Sequence, residues 1–277
     1  MRLPRGSRKG DIVAHRFRFS LIAAAVLAFA AESYGQYQPW NNPGRIQVPN
    51  SQPAAGPAPR RDLTGIWDAG NAGVNGTGYS TPPLTAWGEE VGKTHKSGNG
   101  SRMVPIAEVN DPLSTMGDPT GFPRIILYEL RPVQIVQTPE SVLMLYMFER
   151  RWRVIWTDGR QLPKDPDPRW YGYSVGRWED DYTFVVETVG TDERTWLDNA
   201  GNPHSDQLRV VERYHRLNQN TLELSVTLDD PKTYTKPWTP RDKLQLRLTP
   251  PGTDLMEMIP SATEAAAYKK SMAEPSK

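Results

Sequence analysis

The sequence predicts a mainly β protein: an antiparallel barrel or sandwich with long loops and a short C-terminal helix. Three observations carry this. Apolar and polar residues alternate with period two along several runs, tight turns join neighbouring runs, and no long amphipathic helix lies between strands as an α/β sheet would require.

The alternation is clearest near the C-terminal end. Leu222, Leu224, Val226 and Leu228 alternate with Glu223, Ser225, Thr227 and Asp229, and Leu244, Leu246 and Leu248 repeat the pattern. Tyr182 to Val189 and Leu208 to Arg216 are also strand-like. Val133 to Gln137, Val142 to Phe148 and Trp152 to Thr157 are apolar on both faces, as expected of central strands covered on two sides. Thr138-Pro139-Glu140-Ser141, Glu179-Asp180-Asp181 and Asn218-Gln219-Asn220 are short enough to make hairpins.

The ends of the chain read differently. Arg2, Arg5, Arg8, Lys9, Arg16 and Arg18 precede the apolar run Phe19 to Ala30, the pattern of a cleavable export signal with cleavage near Ala30 or Gly35. The run is too short for the roughly 20 apolar residues that span a bilayer, so no stable membrane anchor is expected. The protein is therefore expected in the periplasm or outside the cell. Residues 36–61 are rich in Pro, Asn, Gln and Ala and read as a flexible spacer. A single β domain is expected over 62–260, then a helix with Ser261 as cap and Glu264 three positions on, then a tail.

The chain has 277 residues, a formal charge of +1 and no cysteine, so no disulfide can form and stability rests on the core. Removing the six cations and two anions of residues 1–35 leaves a charge of −3, which gives no reason to expect nucleic acid as a partner. A small-molecule ligand is the expected partner, and protein partners are left open.

The segment from Gly190 to Asp206 separates two strands that would otherwise be neighbours. Connections of that length are uncommon without a function. It holds Arg194, Trp196, Asp198 and His204. With Asp198 or Asp206 orienting one ring nitrogen, His204 could serve as a general base, or it could simply hydrogen-bond backbone and fix the turn. Glu212 shares a strand face with Leu208, Val210 and Tyr214. A carboxylate on a buried face is either paired, with an arginine such as Arg153 or Arg194, or faces a cavity. If the other face is the inner one, Val211, Arg213 and His215 point inward instead. In the catalytic version, His204 is the base, Asp198 orients it, Glu212 is the partner acid and Arg194 holds a polar group of the substrate.

The turn-rich segment Asp158 to Tyr173 offers Trp170, Tyr171 and Tyr173 either as an aromatic wall for a sugar or planar ligand, or as a cap on the open end of a barrel. Trp152, Trp156, Trp178 and Trp238 are expected in the core or at its rim. With Arg153, Arg194 and Trp196, the three aromatics complete the ligand-binding candidates. No metal site and no cofactor are expected: His204 and His215 stand eleven apart without a cysteine, and nucleotide-cradling glycine loops and the serine nucleophile elbow are missing.

Asp62-Leu63-Thr64-Gly65-Ile66-Trp67 resembles the opening of lipocalin-type and avidin-type barrels, in which the Trp plugs one end. The motifs Trp156-Thr157-Asp158-Gly159-Arg160, Asp165-Pro166-Asp167-Pro168-Arg169-Trp170-Tyr171-Gly172, Gly176-Arg177-Trp178-Glu179, Arg194-Thr195-Trp196-Leu197-Asp198, Pro203-His204-Ser205, Glu212-Arg213 and Asp229 to Trp238 resemble a large family of exported bacterial proteins. That resemblance spans roughly 62–259 and implies membership without implying an activity. It also implies a cysteine near Met116 and another near Met258-Ile259; this chain has neither, so apolar packing would replace the link.

Overall fold

The computed structural model describes residues 55–74, 82–259, 261–263, 266, 267 and 270. The expected export signal and the first part of the expected spacer lie outside the described residues. Nine strands form one closed barrel in sequence order: β1 (Gly65–Asp68), β2 (Val133–Gln137), β3 (Ser141–Tyr146), β4 (Trp152–Trp156), β5 (Tyr173–Trp178), β6 (Thr183–Val189), β7 (Arg209–Asn218), β8 (Thr221–Asp229) and β9 (Trp238–Leu248). β9 closes on β1 through Trp67↔Leu248 and Asp68↔Arg247.

All neighbours are antiparallel but one. β4 and β5 run parallel, with Ile155 opposite Ser174 and Trp156 opposite Val175. The wholly antiparallel expectation fails there because residues 157–172 do not turn back as a hairpin: they carry the chain from one end of the barrel to the other before β5 begins. β5 itself is weakly signalled in sequence, since Gly176 interrupts its inward face. That glycine is required by packing: a Cβ would lie 2.3 Å from the Phe184 ring and 2.8 Å from Ile155.

The two ends are built differently. At the lower end the turns are the three short ones read from sequence. Trp67 is fully buried there, its Nε1–H donates to Leu63 O at 2.8 Å, and the Arg216 guanidinium sits 4.5 Å over its ring. Arg216 in turn donates to the carbonyls of Asp62, Asn218 and Gln219, so one side chain ties the segment before β1 and the β7–β8 turn to the plug. Residues of the expected spacer reach this end as well: Gly56 O accepts from Gln219 N and Arg61 N donates to Asp181 O.

At the upper end gather the long connections. These are residues 69–132, 147–151, 190–208 and 230–237. The first holds helices α1 (Gly70–Val74), α2 (Ala86–Thr94), α3 (Pro112–Met116) and α4 (Arg124–Leu127), with a 3-10 turn at Ile106–Glu108. Thr85 caps α2 by accepting from Gly88 N, and Asp111 caps α3 by accepting from Leu113 N. Phe122, Ile125, Ile126, Leu127 and Leu130 are all buried over the barrel mouth. Each aliphatic side chain so buried contributes roughly 1.5–3 kcal/mol. Ala262, Thr263, Ala266, Ala267 and Lys270 are helical, in line with the expected terminal helix. Where the family resemblance implies a disulfide, Gly117 lies against Ser261 and Ala262, while Met116 and Ile259 stay exposed.

Alternation marks two faces on each strand, and of the two left open for β7 the inner one carries Glu212. β7 turns Val210, Glu212, Tyr214 and Arg216 inward, and β8 turns in Leu222, Leu224, Val226 and Leu228. β4 turns in Arg153 and Ile155, so Trp152 and Trp156 fall on the outer wall, contrary to the expectation of core or rim. Trp178 and Trp238 do pack against the core.

Candidate functional site

Among the described residues, the inside of the barrel is largely apolar, with a polar cluster just below the mouth. Arg153 of β4 donates from Nη1 to Glu212 Oε2 at 3.0 Å and from Nη2 to Glu212 Oε1 at 2.6 Å. Its Nε donates to Ser174 Oγ of β5 at 2.9 Å, and Nη2 also to Thr188 Oγ1 of β6 at 2.7 Å. Tyr214, two residues along β7, donates its hydroxyl to Glu212 Oε2 at 2.8 Å. Arg153 and Glu212 are 3% and 0% exposed, so the pair is fully removed from water. Of the two arginines weighed for Glu212 in sequence, the partner is Arg153. Burial alone would lower the Arg153 pKa, but the Glu212 carboxylate, with Tyr146 and Tyr214, outweighs it and raises it.

Two further groups complete the cluster. Phe122 lies with its ring centroid 3.9 Å from the Arg153 guanidinium carbon. Its position is fixed from the loops: Phe122 N donates to Trp170 O at 2.8 Å, and Gly121 adopts φ +71° where a Cβ would collide with Thr195 Cγ2 at 2.1 Å. Tyr146 of β3 is buried with its hydroxyl toward the Arg153 guanidinium, and its proton finds no acceptor among the described residues. Burial pushes the Tyr146 phenol up to about 12 against the opposing pull of Arg153, so the orphan group is a protonated donor at neutral pH.

The β6–β7 loop forms a second, separate network. His204 is 2% exposed, with Nε2 2.9 Å from Thr195 Oγ1 and Nδ1 3.2 Å from Ser205 O. A carbonyl only accepts, so in the neutral ring Nδ1 carries the proton, while Nε2 and the Asp192 carbonyl, 2.8 Å from the same hydroxyl, compete for the one Thr195 proton. Burial lowers the His204 pKa, overcoming the Ser205 carbonyl and nearby carboxylates. Asp198 accepts from Ala200 N at 2.9 Å, from Asn202 N at 3.3 Å and from Asn202 Nδ2 at 2.7 Å, bracing its own loop. The role of orienting His204 thus falls to Thr195 and Ser205 rather than Asp198. Asp230 accepts from Ser205 N and Ser205 Oγ, both at 2.7 Å, and ties this loop to the β8–β9 connection.

The remaining candidates ring the mouth. Arg194 pairs with Asp192 at 2.5 Å and lies 4.6 Å over the Trp170 ring. Trp196 stacks on His95 at 4.8 Å, with Arg124 5.8 Å from its ring and held by both oxygens of Asp111. Tyr171 donates to Glu149, a buried carboxylate that also accepts from Thr120 N and Oγ1 at 2.7 Å, while Tyr173 carries Arg169 at 4.0 Å. Trp170, Tyr171 and Tyr173 are each half-buried beside these partners.

Sequence reasoning thus brings Arg153 and Glu212 together correctly but misses Tyr146, Phe122, Ser174 and Thr188. Tyr146 was legible in principle, since it follows Val142 and Met144 at period two on the inner face of β3. Phe122 was not, because nothing local reveals which loop residue enters a barrel. Compared with known proteins, the chain matches no protein-family model, no curated protein and no solved structure.

Proposed function

We propose that this protein binds a small, uncharged organic molecule, a phenolic compound or a glycoside, in the upper part of its barrel, beneath Phe122. The observation that carries the reading is the Tyr146 hydroxyl: a buried donor without an acceptor is costly, and native proteins keep such groups where a ligand or water uses them. The Arg153–Glu212 pair supports a neutral ligand, because each charge already has its counter-charge. Phe122 on the guanidinium face marks where a planar ring fits, and it must swing aside for entry.

Binding is favoured over acid/base catalysis by the separation of the two networks: Glu212 bonds to Arg153 and Tyr214, His204 to Thr195 and Ser205. The basic and apolar run at the N-terminus supports action outside the cytoplasm.

The test is a thermal-shift screen against phenols, glycosides and lipids, repeated on Tyr146→Phe. A ligand of the folded state raises Tm, and the rise should vanish in the variant. If no neutral compound shifts Tm, or the shift survives Tyr146→Phe, the site is not here.

A further inference from the structure

Two loops at the barrel mouth set Phe122 over Arg153, and a single carboxylate joins them. Phe122 N donates to Trp170 O at 2.8 Å. Two residues before Phe122, Thr120 donates both its N–H and its hydroxyl to Glu149 Oε1, each at 2.7 Å. One residue after Trp170, Tyr171 donates its hydroxyl to the other oxygen, Glu149 Oε2, at 3.1 Å. The bonds close a circuit that runs from Phe122 to Trp170, through Tyr171 to Glu149, and through Thr120 back to Phe122. Burial and the adjacent carboxylate push the Tyr171 phenol well up, so it stays a donor.

Glu149 suits this task better than it suits the turn it occupies. It lies with Arg150 in the β3–β4 connection, and the two adopt φ +60° and +50°, the left-handed conformation that tight hairpins normally give to Asn and Gly. Other residues keep such a conformation where the surroundings over-determine it, and these positions gather at ligand clamps and switches. A turn carboxylate ordinarily stays in water. The Glu149 side chain is 3% exposed, with Arg151 Nε at 3.6 Å, so the bonds from Thr120 and Tyr171 compensate for burying its charge. It acts on Phe122 through those two neighbours, which makes it a positioning residue. We propose that Glu149 is the latch that holds Phe122 down on the Arg153–Glu212 pair, and that breaking its hydrogen bonds to Thr120 and Tyr171 opens the mouth to a ligand. The opening step rests on the reading that a neutral molecule enters beneath Phe122; the latch itself does not.

Residue-resolved amide hydrogen exchange on the purified full chain reads the latch without any ligand. In Glu149→Ala the Phe122 N–H should exchange faster by at least about tenfold, with a smaller rise in Tyr171→Phe, while amides of β6 and β8 keep their wild-type rates. Stopped-flow fluorescence with 2-naphthol, an uncharged phenol, then reads the opening: association and dissociation should both quicken in Glu149→Ala. A Phe122 rate unmoved in both variants overturns the proposal. So does a rise shared equally by β6 and β8 in both, which would make Glu149 a stabiliser of the whole barrel. Equal 2-naphthol rates in wild type and Glu149→Ala overturn the opening step. If 2-naphthol fails to bind the wild type, the opening step falls with the binding reading, and the latch stands or falls on the exchange rates.

Discussion

Replacing Glu212 by Gln keeps the shape of the barrel interior but removes the charge that balances Arg153. The guanidinium would remain 3% exposed beneath Phe122, keeping Ser174 and Thr188 but losing its ionic partner. The new amide would point its own N–H groups toward either Arg153 or the Tyr214 hydroxyl, both of which donate. Removing one member of a buried pair costs about 3–5 kcal/mol. At about 2–4 °C per kcal/mol for a domain of this size, Tm should fall by roughly 6–20 °C. The pair also predicts strong coupling: Arg153→Met with Glu212→Leu should cost less than the two single changes together, because no charge is left behind. Thermal and urea unfolding of the wild type, both single variants and the double close the cycle. An additive cycle, or a Glu212→Gln loss under about 1 kcal/mol, would show that water reaches the pair and that the interior is not sealed.

Three other outcomes follow from the same geometry. Tyr146→Phe deletes a hydroxyl whose proton finds no acceptor among the described residues, so unfolding experiments should find stability unchanged or raised by about 1 kcal/mol; a loss of that size would reveal a hidden bond. Gly176→Ala forces a methyl into the Phe184 ring and should cost about 1–3 kcal/mol, read as a lower urea midpoint. Burial lowers the pKa of both His204 and His95, so as pH falls below about 6.5 the unfolded chain takes up protons that the native state refuses, and stability drops. Tm should therefore decline from about pH 7 to about pH 5, less steeply in His204→Gln. Asp192, held low by its hydrogen bond from Arg194, is shifted in the same direction, and the stability it adds is lost only as pH falls below about 4, so the two windows separate. A flat Tm across the histidine window would contradict a buried neutral His204.

Much of the fold was legible because a half-buried strand writes its orientation into every second residue. β8 faces inward as read, β7 shows which of its two open alternatives holds, and the lower hairpins lie where short polar turns interrupt the runs. The parallel β4–β5 pair was not legible, since the direction in which a long loop travels leaves no periodic trace. At the candidate site, Glu212 announced itself as a carboxylate among apolar inward neighbours. Its choice of Arg153 over Arg194 depended on which strands lie across the barrel from each other. His204 and Asp198 stood out by residue type and loop length, yet their bonds go to Thr195, Ser205 and Asn202, partners chosen by the folded loop.

By itself the sequence determined a β domain, the alternation along its strands and the need for a partner to a buried Glu212. Those properties are local: periodicity, turn chemistry and the cost of burying a charge act within a few residues. Only the tertiary structure decided closure into nine strands, the Arg153–Glu212 pairing and the descent of Phe122 onto Arg153. Each of these joins residues far apart in the chain, where chain closure and packing, not local preference, set the geometry.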